Sequence, residues 1–191
     1  MNKLKDYAVQ NNVPIIEDDG LEFIINLIKQ ENIKSILEVG TAIGYSAINF
    51  AYICDDIYIK TIERDKSMYE YAMGAIKDFN LENRIKIVFG DAKQIEIDGE
   101  FDMVFIDAAK SSYKLFFDRF SSNLSRNGII VCDNMNFHGQ LEIGEEKLSR
   151  GLRGIVRKLK TFREYLVSHK DYDTNFYNIG DGISVSRRVW K

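Results

Sequence analysis

At 191 residues, with 45% hydrophobic content and a formal net charge of -3, the chain has apolar surface for one well-buried core and is too short for two ordinary domains. Its slightly acidic balance excludes the general attraction to polyanions that a strongly basic domain shows. No uninterrupted apolar stretch approaches membrane-spanning length and the start MNKLKDYAVQNN lacks the greasy segment of a secretion signal, so a cytoplasmic protein without membrane contact is expected.

In chain order, Leu21, Ile24, Ile25 and Ile28 recur at helical spacing after EDDG, which predicts a helix ahead of the first strand. Strand and helix then alternate. Strands are predicted at Ser35 to Val39, Ile57 to Ile62, Ile85 to Phe89, Phe101 to Ile106 and Gly128 to Cys132. Helices fall near Tyr45 to Ile53, Lys66 to Phe79 and Tyr113 to Leu124, where Phe116, Phe117 and Phe120 are assigned to core packing or a subunit interface. A further helix near Lys147 to His169 precedes two strands, Asp171 to Ile179 and Gly182 to Val189, joined by a short turn. This order predicts an α/β fold: a Rossmann-like, doubly wound, mostly parallel seven-stranded sheet with a C-terminal antiparallel hairpin. Pro14 lies outside every predicted element, and no linker or repeat divides the chain. A disulfide is not expected, since Cys54, in a predicted helix, and Cys132, in a predicted core strand, read as small buried hydrophobes.

The chemistry gathers at strand ends. Asp107 follows FDMVFI and Asp133 follows GIIVC, with Asn134 next, so three oxygen ligands converge on one edge of a parallel sheet. That set suits a hard cation such as magnesium, calcium or manganese, whereas the two histidines, His138 and His169, are too few for an imidazole-rich centre. Upstream, in the segment from Glu38 to Ser46, Gly40 lets the backbone approach a ligand and Gly44 allows tight entry into the next helix; Ala42 stands where a middle glycine would. Glu63, about 20 residues further on, is placed to accept both hydroxyls of a ribose. Gly90, Asp91 and Ala92 at the third strand end can meet an adenine ring, or Asp91 can simply cap a short helix after it. Glu38, a carboxylate on a buried strand, needs a partner, which a cationic ligand would supply.

Taken together, ILEVGTAIGYSA, TIERD, FDMVFIDAAK, GIIVCDN and IGDGISVS resemble the class I S-adenosylmethionine-dependent O-methyltransferases, in particular the metal-dependent catechol and caffeoyl-CoA group. The resemblance covers nearly the whole chain and implies one methyltransferase domain over 1–191. LEVGTAIGYSA and DNMNFHG look most like the bacterial tRNA 5-hydroxyuridine methyltransferases, which make 5-methoxyuridine in the anticodon loop. By motif, Gly40, Thr41 and Ser46 would line the methionine part of S-adenosylmethionine, Glu38 would face its ammonium, Glu63 the ribose, and Asp91 with Ala92 the adenine. Asp107, Asp133 and Asn134 match the metal ligands, Asp107 also bordering the cofactor, and Lys110 takes the position of the general base. Family members are often homodimers.

Two acceptor classes are consistent with paired oxygens: catechol-like phenols, and 5-hydroxyuridine through its hydroxyl and C4 carbonyl. Ala108 and Ala109 stand where catechol methyltransferases carry bulky side chains, which argues against a small flat catechol. On the helix near Lys147 to His169, Leu148, Leu152, Ile155, Val156, Leu159, Phe162 and Leu166 share one face. Arg150, Arg153, Arg157 and Lys160 gather on the other, either as a solvated face or as a track for the phosphates of a tRNA anticodon loop. The segment Met135 to Gly144, with Phe137 and His138, could stack on a splayed base or act as a lid.

Overall fold

The computed structural model describes residues 1–141 and 145–189. It comprises α1 (Asn2–Gln10), α2 (Asp18–Gln30), β1 (Ser35–Val39), α3 (Tyr45–Ala51), β2 (Tyr58–Glu63), α4 (Lys66–Asp78) and β3 (Ile85–Phe89), followed by β4 (Phe101–Ile106), α5 (Tyr113–Phe120), β5 (Leu124–Cys132), α6 (Arg150–Val167), β6 (Tyr172–Tyr177) and β7 (Ile183–Arg188). The seven strands lie in the order β3-β2-β1-β4-β5-β7-β6. All pairings from β3 to β5 are parallel, and β7 runs antiparallel to both β5 and β6. The hairpin therefore inserts its second strand into the sheet, and β7 is the one reversed strand.

Period-two alternation splits the buried residues between the two faces of the sheet. Ile36, Met103, Phe105, Ile129 and Val131 pack toward the helices of the first half of the chain. Leu37, Val39, Val104, Ile106 and Ile130 pack beneath α5 and α6, where Phe117 meets Phe162 and Tyr172 edge-on at 6.0 and 5.1 Å. The three phenylalanines of α5 are thus core residues. Asp102 ties the start of β1 to β4, accepting both the Lys34 and Ser35 amides at 3.0 Å. Asp65 caps α4 through the Ser67 and Met68 amides at 2.9 and 3.0 Å.

One helix is new to the sequence reading and two expectations are corrected. Helix α1 has no counterpart in the apolar pattern, because it buries only Leu4 and Ala8; Tyr7, stacked on Tyr71 at 3.8 Å, adds to its seating. The helix expected to reach Leu124 ends at Phe120, and β5 begins at Leu124, where a register irregularity against Phe101 and Met103 accommodates the extra residues. Cys54 is exposed in the turn after α3, since that helix stops at Ala51; Cys132 is buried, and both are free thiols. Among the described residues no helix is long and apolar enough to cross a membrane. Residues 142–144 of the predicted 135–144 segment lie outside the described residues.

Candidate active site

The strand order reverses between β1 and β4, so the loops leaving their carboxyl ends splay apart and open a crevice. The turn from β1 into α3 forms one lip. Gly40 takes φ +105° there, and a Cβ at that position would lie 2.0 Å from the Asp107 carbonyl oxygen, an approach only glycine permits. Ala42 adopts a left-handed φ of 46°, which gives the physical sense of its standing at a glycine-like position. Its amide donates to Glu63 Oε2 at 2.8 Å, while Oε1 accepts from the Arg64 and Asp65 amides at 2.9 and 2.7 Å. Three backbone donors therefore fix Glu63 at the end of β2.

A cavity of about 290 Å³ follows this edge. Gly40, Thr41, Ser46, Glu63, Asp91 and Ala92 line one end, and Asp107, Lys110 and Asn134 the other. Asp91 closes a turn through the Lys93 amide at 2.9 Å, and no helix follows it to be capped. The remaining wall includes Pro14 to Glu17, His138 and Phe116. The connection before α2 carries no chemical motif, so its part in the wall is not readable from the sequence. Asp133 is buried behind Asn134 and does not reach the cavity surface. No residue of α6 lines the cavity; Arg150 and Arg157 are exposed on that helix, and Arg153 and Lys160 half-buried.

Glu38 differs from its expected place. It is 0% exposed and lies one layer beneath the cavity, its oxygens engaged by the Ser46 hydroxyl and, at 2.5 Å, by Thr61 Oγ1. Thr61 Oγ1 in turn sits 2.6 Å from Thr41 Oγ1, so the buried carboxyl organises the hydroxyls that face the cavity rather than a ligand directly. Burial raises its pKa to about 8, against the pull of those two hydroxyls. The folded chain therefore keeps this proton between about pH 4.5 and 8 while the unfolded chain releases it, and stability falls as pH rises through that window. Glu38→Gln should remove that slope, at most about 1.4 kcal/mol per pH unit, in urea unfolding measured from pH 5 to 8. Parallel pH profiles for the two proteins would contradict it.

At the other end, Asp107 and Asp133 leave adjacent strands side by side, with the Asp133 amide donating to the Ile106 carbonyl at 3.2 Å. Burial, then repulsion from Asp107, pushes Asp133 up to about 7. Burial likewise raises Asp107, opposed by the Lys110 ammonium. Asn134 holds a left-handed φ of 53°, and its Oδ1 accepts from Lys110 Nζ at 2.7 Å. Two carboxyls and an amide oxygen gather at this edge, a donor chemistry that fits a hard dication, with Asp133 lying below the cavity surface. Among the described residues no three His, Cys, Asp or Glu side chains cluster as metal ligands.

A sheet of this order with a glycine turn beside a carboxylate-rich strand edge has the architecture of Rossmann-like methyltransferases. The family model described as O-methyltransferase matches residues 1–189. A Staphylococcus aureus protein described as a candidate caffeoyl-CoA O-methyltransferase superposes with a TM-score of 0.94 at 39% identity, over 98% of this chain and 91% of that one. The SAH-bound methyltransferase PaMTH1 of Podospora anserina superposes with a TM-score of 0.80 at 28% identity, over 89% and 78% of the two chains. The caffeoyl-CoA O-methyltransferase of Populus kitakamiensis is 29% identical over 97% of this chain and 82% of its own length. The chain belongs to the class I S-adenosylmethionine-dependent O-methyltransferase family, and within it is of the caffeoyl-CoA type.

Proposed function

We propose that the chain methylates a hydroxyl bearing a second oxygen on the neighbouring carbon, using S-adenosylmethionine and a dication held by Asp107, Asp133 and Asn134. The observation that carries this reading is the double position of Asp107, whose carbonyl abuts Gly40 of the cofactor turn while the residue itself and Asp133 follow the paired ends of β4 and β5. When bound, the ion supplies Lewis acidity to the acceptor oxygen, and S-adenosylmethionine supplies an electrophilic methyl. Gly40, Thr41 and Ser46 would receive the methionine end, Glu63 would accept a ribose hydroxyl on the remaining lone pair of Oε2, and Asp91 with Ala92 would border the adenine. Lys110 Nζ would take the acceptor's proton, and the rest of the acceleration would come from holding the two reactants in line.

The Populus relative is named for caffeoyl-CoA, which supports a phenol with adjacent oxygens as the acceptor. A second reading, the wobble 5-hydroxyuridine of a tRNA anticodon loop, draws on α6: Arg150, Arg153, Arg157 and Lys160 accompany a single acid, Glu164. Labelled S-adenosylmethionine with magnesium or manganese should transfer label to a caffeoyl thioester or catechol, and chelation should stop it. Label in tRNA bearing 5-hydroxyuridine would select the second reading instead. In that case Arg153→Glu with Arg157→Glu should weaken tRNA turnover about tenfold or more while sparing SAH binding. Label in neither acceptor removes both readings.

A further inference from the structure

The turn between β6 and β7 brings a third carboxylate to this edge. Asp181 is 5% exposed; its Oδ1 accepts the His138 amide, and its Oδ2 has no hydrogen bond but faces His138 Nδ1 at 3.4 Å. A buried carboxylate oxygen left unsatisfied is costly, and a proton on that ring nitrogen is the partner within reach. His138 itself is among the residues that line the cavity, its side chain 67% exposed.

The segment from Asn134 to His138 needs support, because Asn134, Phe137 and His138 hold left-handed φ values of 53°, 49° and 52°. Much of that support does not depend on the Asp181 side chain. The Met135 and Asn136 amides donate to the Gly182 and Asp181 carbonyls at 2.8 Å, and Arg163 Nη1 donates to the Met135 carbonyl at 3.0 Å. The Asp181 carboxylate adds two contacts to one residue, the amide and the ring of His138.

We infer that Asp181 is a positioning residue: it fixes the tautomer of the His138 ring with the proton on Nδ1, leaving Nε2 as a hydrogen-bond acceptor for the incoming methyl acceptor, whose reacting proton goes to Lys110. The role toward the acceptor rests on the function proposed above; the role toward the ring does not. The other imidazole is an internal reference, since His169 Nδ1 accepts the Asp171 amide at 3.1 Å and must carry its proton on Nε2.

Long-range nitrogen-15 spectra of the labelled imidazoles, taken where both rings are neutral, should show the two histidines as opposite tautomers. Asp181→Asn puts an amide N–H where the carboxylate offered an acceptor and should convert His138 to the Nε2-protonated form, leaving His169 unchanged. An Nε2-protonated His138 in the unaltered chain, or a tautomer indifferent to Asp181→Asn, overturns the inference without reference to any substrate. In turnover, Asp181→Asn should raise KM for the acceptor about tenfold with SAH affinity unchanged, and add nothing in a His138→Ala background. Multiplying effects would mean that Asp181 acts independently of His138, which also overturns it. Failure of the unaltered chain to methylate either acceptor class would count against the proposed function alone, and the tautomers would still decide the positioning role.

Discussion

Lys110→Met should lower kcat for methyl transfer by roughly 10²- to 10⁴-fold while SAH binding, measured by calorimetry, stays near that of the unaltered chain. The lysine opens a 3-10 turn separated from the end of β4 by three residues, with Nζ 2.7 Å from Asn134 Oδ1 and 5.9 Å from the centre of the Phe137 ring. Methionine preserves the length and the packing of the stem but can neither accept a proton nor repel a cation. Lys110→Arg separates the two roles, since a guanidinium keeps the charge and does not give up its proton. Equal losses in both variants indicate proton transfer at Nζ. Full activity in Lys110→Arg indicates that only the charge matters, and full activity in both means that the hydroxyl proton leaves by another route.

Much of the fold is legible in the chain because strand periodicity and strand-end chemistry are local signals. The apolar runs of β1, β4 and β5 each stop at the residue that begins the site, so their spacing alone places Gly40, Asp107 and Asp133 on one edge. The features that escape such a reading are set by tertiary contact. Helix α1 buries two apolar side chains, too few for a helical period to stand out. Pro14 to Glu17 act by position alone, and Asp181 has the pattern of an ordinary hairpin-turn residue, its burial against His138 being a product of the fold. Glu38 stands out in the sequence as a carboxylate needing partners, but only the packed sheet shows that Ser46 and Thr61 supply them from beneath the cavity. The basic row on α6 has the expected helical spacing, yet none of its four residues lines the cavity; the helix meets the site from behind, against the 110–112 turn and through Arg163 on the Met135 carbonyl.

The cofactor turn and the carboxylate edge are joined at one point of contact, and Gly40→Ala should break both. The added Cβ would overlap the Asp107 carbonyl oxygen at 2.0 Å and approach the carbonyl carbon at 2.9 Å, on a backbone already at φ +105°. Neither partner can yield cheaply. The Gly40 and Thr41 amides are both bonded to the Ile62 carbonyl at 3.1 and 3.2 Å, and the Asp107 amide is bonded to the Val39 carbonyl at 3.0 Å, so relief requires moving the ends of β1, β2 and β4 together. A loss of about 4 kcal/mol or more is expected, which for a chain of this size lowers Tm by roughly 10 °C. SAH binding and dication affinity should fall together, because the same displacement moves the turn and the Asp107 carboxyl. Gly74→Ala is the matched control: that glycine is exposed in the middle of α4 with nothing within 4 Å of an added Cβ, so alanine there should stabilise by about 0.5–1 kcal/mol. If Gly40→Ala unfolds like the control, the close approach is not a rigid constraint. If it loses SAH binding but keeps dication affinity, the two halves of the site are not coupled through Asp107.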